Sequence, residues 1–353
     1  MSQPIVWKGR GAVSNPQGRF EKLGRVTDED AYWEPDEDAP ETEIKRIAAK
    51  GIISQNESPD VSFNQSINPY QGCEHGCIYC FARPSHSYLG LSPGLDFETK
   101  IFAKTNAAAL LRQELSKPSY RCETIVIGAN TDPYQPIERE LKITRSLLEV
   151  AAEFKQPIGI ITKSALVERD LDLLGPMAEE GLARVFVSVT SLDAELARKL
   201  EPRAAAPYRR LRALKALADA GVPCGVMTAP IIPFLNDCDM EAILEAAAEA
   251  GVDSAGYVLL RLPHELKGLF RDWLQEHFPL RAEHIMARVR DMRGGKDYDS
   301  EWSIRQRGVG NYAQLLQQRF DKACTRLGLN RTRMSAETTK FRVPGRLSQL
   351  DLF

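Results

Sequence analysis

Three thiols, Cys73, Cys77 and Cys80, fall within eight residues in the spacing C-x3-C-x2-C. Thiolate is a soft ligand that takes iron–sulfur clusters or zinc. Three thiolates this close converge on one centre only where the backbone between them loops around it. Three is one fewer than the donors of a structural zinc or a closed cubane, so the fourth position is filled by another group or left open. Gly72 and Gly76 let the backbone curl close to such a centre, and Tyr79 sets an aromatic edge beside the last thiol. A zinc knuckle completed by His75 or His86 is the alternative within the same stretch.

The triad, with an aromatic before its third cysteine, resembles the signature of the radical S-adenosylmethionine (radical SAM) enzymes. Pro69–Cys73, Phe81–Pro84, Thr131–Pro136 and Glu201-Pro202-Arg203 are similar to a largely uncharacterised bacterial family related to spore photoproduct lyase, and the likeness covers most of the chain. The resemblance implies a [4Fe–4S] cluster on the three cysteines, with S-adenosylmethionine on the fourth iron through its amino and carboxylate groups. It implies reductive cleavage to methionine and a 5′-deoxyadenosyl radical, with flavodoxin or ferredoxin as reductant. Carried over residue by residue, it sets Asn130, Thr131 and Asp132 at the amino group, Lys163, Ser188 and Arg203 at the carboxylate or ribose, and Tyr79 beside the cofactor. The Gly-Gly-Glu triplet usual after the second strand is replaced here by Gly128–Asp132. Asp132 before Pro133 also reads as a turn residue, and Lys163 and Arg203 as solvent-facing charges.

Four cysteines remain. Cys122 and Cys224 stand where strands begin, away from the site, and Cys324 lies in the distal helical region. Cys238, in the loop after the fifth strand, is the candidate hydrogen-atom donor, with a packed, inert thiol as the alternative. Seven cysteines, three of them clustered, do not read as a disulfide framework.

These residues need elements to hold them. Short apolar, β-branched runs alternate with helical periodicity from about residue 58. Strands are expected at 61–63 leading through Ile67 and Asn68, then at 123–128, 157–162, 184–189, 224–232 and 255–260. Helices are expected at 106–115, 141–154, 165–180, 207–220 and 240–250. Six β/α units argue for a parallel sheet covered by helices, and an open (β/α)6 partial TIM barrel fits the count. Such sheets place chemistry at the carboxyl ends of their strands. Those ends carry the cysteine loop, Asn130–Asp132, Lys163-Ser164, Ser188 with Thr190 and Ser191, and Asn236–Cys238.

The expected organisation is an acidic, partly ordered extension over 1–57, the core over 58–262, a basic helical region over 263–335 and a tail over 336–353. A net charge of −2 excludes strong attraction of nucleic acid by the molecule as a whole. From residue 281 onward, however, 15 Lys and Arg stand against 8 Asp and Glu, a surface able to follow a phosphate backbone or simply to be solvated. Gln349, Leu350, Leu352 and Phe353 resemble the motif by which bacterial repair proteins bind the sliding clamp; the alternative is packing on the protein's own core. No signal peptide or membrane span is expected, which points to the cytoplasm. The expected substrate is nucleic acid, as a damaged DNA base. RNA or a protein side chain is the first alternative, and a non-catalytic zinc adaptor at the clamp the second.

Overall fold

The computed structural model describes residues 6–21, 40–331 and 336–345. Residues 22–39, which hold most of the acidic stretch of the extension, and the tail residues Gln349, Leu350, Leu352 and Phe353 lie outside the described residues.

The strands are β1 (Glu43–Ile47), β2 (Ile53–Gln55), β3 (Gln65–Ile67), β4 (Tyr70–Gln71), β5 (Lys100–Lys104), β6 (Ile125–Ile127), β7 (Ile158–Thr162), β8 (Ala183–Ser188), β9 (Cys224–Ile231) and β10 (Ser254–Leu259). The helices are α1 (Leu95–Thr99), α2 (Ala107–Leu115), α3 (Glu138–Leu141), α4 (Ile143–Phe154), α5 (Leu171–Glu179), α6 (Ala194–Leu200), α7 (Pro207–Asp219), α8 (Met240–Glu249), α9 (Leu266–His277), α10 (Ala282–Asp291), α11 (Ile304–Arg307) and α12 (Gly310–Leu327).

The larger sheet has the order β10-β9-β8-β7-β6-β3-β2. From β3 to β10 every neighbouring pair is parallel, and β2 closes the list as an antiparallel partner of β3. Strand order follows chain order, so successive crossovers of one hand lay their helices on one face. Ile125, Ile127, Ile158, Ile160, Val185, Val187 and Val226 pack there against Leu147, Leu174, Leu214 and Leu244 of those helices.

A second core gathers Ala12 and Val13 near the amino terminus, Cys77, Ile78 and Tyr79 of the cysteine loop, and Leu269, Phe270, Trp273, Ile285 and Val289 of α9 and α10. The carboxyl-terminal helices thus pack against the cysteine loop.

Several expectations need correction. The first strand occupies only the later part of its expected stretch, 65–67 and not Val61–Phe63, because there all three residues bury between β2 and β6. The chain ahead of residue 58 has too little apolar surface to fold alone, yet its described parts supply β1 against β5 and β2 against β3. It is tied in by strand pairing and by a few scattered apolar residues, Ala12, Val13 and Ile52, too sparse to form a periodic pattern in sequence. Residues 81–104 carried no expected element and form a 3-10 turn at Arg83–Leu89, then α1 and β5. The helix expected over 165–180 is a 3-10 turn followed by α5. The arginines of the basic region are largely matched: Arg319 and Arg326 pair with Glu241 and Glu245 of α8, and Arg305 with Asp60.

Candidate active site

The cysteine loop follows β4 and is held by its backbone. Gly72 and Gly76 have φ of 79° and 67°, so the left-handed turns expected of them occur. Cys73 N donates to Phe97 O (2.9 Å), Ile78 N to Leu200 O (3.1 Å) and Cys80 N to Cys77 O (3.2 Å). Glu74 N donates to Gln135 Oε1 at 2.8 Å. Arg83, wholly buried, donates from Nε to Cys77 O (2.8 Å) and from Nη2 to Gly76 O (3.0 Å), and its charge is met by buried Glu98. Glu98 in turn accepts from Gly11 N (2.9 Å) and Ala12 N (2.8 Å). One carboxylate therefore joins the amino-terminal segment to the loop.

Cys73 and Cys77 are buried and Cys80 half-buried. Burial pushes the Cys77 thiol up to about 12 and raises Cys73 as well, so these sulfurs ionise only against the charge of a metal centre. That donor set fits an iron–sulfur cluster. Among the described residues, no three His, Cys, Asp or Glu side chains are gathered as ligands of a single ion. Each histidine of the zinc alternative has one ring nitrogen beside a protein oxygen. His86 Nε2 meets Lys100 O at 3.0 Å with its ring edge-on to Phe97, and burial drops it to about 4. His75 Nδ1 lies 3.3 Å from Asp132 Oδ2.

Behind the loop, the Tyr79 hydroxyl donates to Glu201, which also accepts from Thr190 Oγ1 (2.5 Å) and pairs with Arg210. All four side chains are buried. Sequence reasoning gave no role to Glu201, Arg210, Arg83 or Glu98, and named Thr190 only as a strand-end residue. The available signal was that Glu201 and Arg83 sit within the quoted motifs.

Asp132 Oδ1 accepts from Thr162 Oγ1 (2.7 Å) and Tyr134 N (2.9 Å), and Oδ2 from Lys163 N (2.7 Å). Its pKa is about 2: burial opposes ionisation, and His75 and these donors outweigh it. Thr131 is buried, its Oγ1 donating to Tyr70 O (2.7 Å), while Asn130 is exposed with its N–H on Asn68 Oδ1 (2.9 Å). Ser188 is buried at the end of β8, and its carbonyl accepts from Arg210 Nη1 at 3.0 Å.

Lys163 stands at the end of β7 with Nζ 5.8 Å from the centroid of the Tyr79 ring. Burial works to lower its pKa, but Cys77 and Glu201 nearby raise it above the ordinary value. Arg203 reaches Glu74 (3.2 Å) and Thr42 Oγ1 (3.0 Å), and borders a cavity of about 490 Å³ with His75, Tyr134 and Arg139. The structure thus brings Tyr79, Lys163 and Cys77 together and turns Arg203 toward Glu74. Cys238 is exposed, its thiol donating to Asp239 Oδ1 at 3.6 Å.

The family model described as "Radical SAM superfamily" matches residues 67–247. An uncharacterised protein of Mycobacterium tuberculosis is 38% identical over 232 residues, 65% of this chain and 67% of that one. Another, from Methanocaldococcus jannaschii, is 29% identical over 197 residues, 56% and 71% of the two chains. Among solved structures, spore photoproduct lyase complexed with dinucleoside spore photoproduct shares the fold with a TM-score of 0.56 at 15% identity, over 81% of this chain and 80% of that one. Among the described residues, no helix is long and apolar enough to cross a membrane.

Proposed function

The chain belongs to the radical SAM superfamily, and from that premise we propose an enzyme that holds one [4Fe–4S] cluster on Cys73, Cys77 and Cys80 and acts on nucleic acid. When bound, the cluster and S-adenosylmethionine together supply a 5′-deoxyadenosyl radical by one-electron cleavage of a sulfonium carbon–sulfur bond. The observation that carries this reading is the buried thiol loop with Lys163 over Tyr79 and beside Cys77.

Lys163 binds the cofactor carboxylate, because its raised pKa keeps the ammonium charged throughout the working range. Asp132 fixes where that ammonium starts, by accepting from the Lys163 N–H. Asn130 keeps an exposed side chain for the amino group. Ser188 lines the site, and Arg203 contributes charge from its place beside Glu74. Tyr79 closes the floor, with Glu201 and Arg210 locking its ring. The second core keeps water from the loop. We read the six-stranded parallel run as a partial barrel, with β2 added at one edge.

Nucleic acid, as a DNA lesion to be repaired or a base to be modified, is favoured by fold likeness to a lyase complexed with a dinucleoside photoproduct. RNA or a protein side chain is the competing substrate class. An acidic carrier such as flavodoxin or ferredoxin supplies electrons. Cys238 remains the candidate hydrogen-atom donor, since a raised pKa keeps it as S–H. The tail motif at Gln349, Leu350, Leu352 and Phe353 is proposed to bind a sliding clamp; unchanged affinity after its deletion would end that idea.

The test is anaerobic purification, iron and sulfide quantitation, and incubation with dithionite and S-adenosylmethionine while following 5′-deoxyadenosine, with oligonucleotides or polypeptides added. Brown protein that forms the nucleoside, faster with oligonucleotide, supports the reading. Colourless zinc protein overturns it, and stimulation by polypeptide alone moves the substrate to protein.

A further inference from the structure

The carboxyl ends of the strands carry an arginine that pairs with no carboxylate among the described residues. Arg261 stands two residues beyond β10, with its Cζ 4.8 Å from the ring centroid of Phe81. Phe81 directly follows Cys80 and keeps 40% of its surface exposed. Among the described residues Arg261 has no ion pair or hydrogen bond, and its Nε is buried without a partner.

Its surroundings do not cancel this charge. Behind it Arg293, 1% exposed, donates to Leu260 O at 2.9 Å and to Ile304 O, and its Nε is also orphaned. Burial and the Arg261 charge push Arg293 down to about 10. The acids facing the pair are already engaged. Asp60, near Arg261, accepts from Arg305 and from Ser303 N. Asp299, near Arg293, accepts from Lys296 Nζ (3.4 Å) and Glu301 N (2.9 Å). The guanidinium of Arg261 is therefore a planar fork of donors with no acceptor, held over an exposed aromatic ring one residue from a cluster thiol. A phosphate oxygen satisfies such a fork, and a base plane satisfies such a ring.

We propose that Arg261 and Phe81 form a nucleotide-recognition pair, the guanidinium holding a phosphodiester and the exposed part of the ring stacking an unpaired base beside the cysteine loop. This rests on the nucleic-acid reading above and names the residues that would carry it. Phosphate contact makes binding salt-dependent, and stacking makes it depend on the presence of a base.

The test uses the full iron-loaded chain and fluorescence anisotropy with a short labelled single-stranded DNA, and with an abasic strand of the same length, across a salt series. R261Q is expected to flatten the dependence of log affinity on log salt by about 0.7, one phosphate contact, while R261K retains the slope. F81L is expected to weaken binding of the base-bearing strand about 10-fold and to leave the abasic strand unaffected. Thermal melts matching the parent certify each variant. If the parent binds DNA while R261Q and F81L match it in affinity and slope, the pair is overturned and the nucleic-acid reading stands. If the parent binds neither strand while still forming 5′-deoxyadenosine, both fall.

Discussion

The Tyr79 hydroxyl and the Glu201 carboxylate are hydrogen-bonded across 122 residues of sequence, in a site where both side chains are buried. Tyr79 lies between Cys77 and Cys80, and Glu201 follows α6. The bond therefore ties the cysteine loop, through Arg210, to the carboxyl end of β8 at Ser188 O.

Replacing Glu201 by Ala leaves Arg210 buried with no countercharge. Loss of one member of a buried pair costs about 3–5 kcal/mol. Equilibrium denaturation should show that loss for E201A, a smaller one for E201Q, and partial recovery when R210M is added to E201A. Equal stability of E201A and the parent would remove the network from the account.

Asp132 predicts a pH dependence. Its folded pKa, about 2, lies below the ordinary 3.8, so its contribution is fully present above the unfolded value and disappears as pH falls toward the folded one. A shift of that size is worth about 2 kcal/mol. D132N should be less stable than the parent at pH 7 by roughly that amount, and the gap should narrow as denaturation is repeated toward pH 3. A gap independent of pH would assign the cost to packing instead.

Gly11 lies against the loop so closely that an added Cβ would stand 1.8 Å from Gly76 O. G11A must displace either the amino-terminal segment or the loop, and with it the two bonds to Glu98. Iron per chain should fall and cluster colour should bleach faster in air. G51A, where nothing lies within 4 Å of the new Cβ, should behave as the parent.

Lys163→Met removes the ammonium that lies over the Tyr79 ring. Loss of a charge-assisted hydrogen bond is worth about 10- to 100-fold in affinity. The KM for S-adenosylmethionine should rise by that factor with iron content unchanged, and Lys163→Arg should recover part of it. Lost iron with an unaltered KM would make Lys163 a support of the loop.

The chemistry was legible where it depends on neighbours in the chain. Thiols at C-x3-C-x2-C, the glycines that curl them and the tyrosine between them are local, and so is the alternation of apolar strand and periodic helix. The rule that parallel sheets work at their carboxyl ends then located Asp132 and Lys163, which do meet through the Lys163 N–H. Tertiary structure decided what those residues face. Asp132 reads locally as a turn residue, but its oxygens are divided among Thr162, Tyr134, Lys163 and His75. Arg203 was grouped with the cofactor residues, and its guanidinium pairs with an acid of the cysteine loop 129 positions earlier, Glu74, a partner that no local pattern announces.

What sequence determined by itself was the spacing of the three thiols, the parallel α/β class and which residues fall at the strand ends, because each follows from residue type and short-range periodicity. What only the tertiary structure decided was the burial of Glu98, Glu201 and their arginines, and the return of residues 11 and 12 to the loop. A buried ion pair leaves no periodic signal. Its partners are chosen by which distant segments meet once the apolar surfaces have closed.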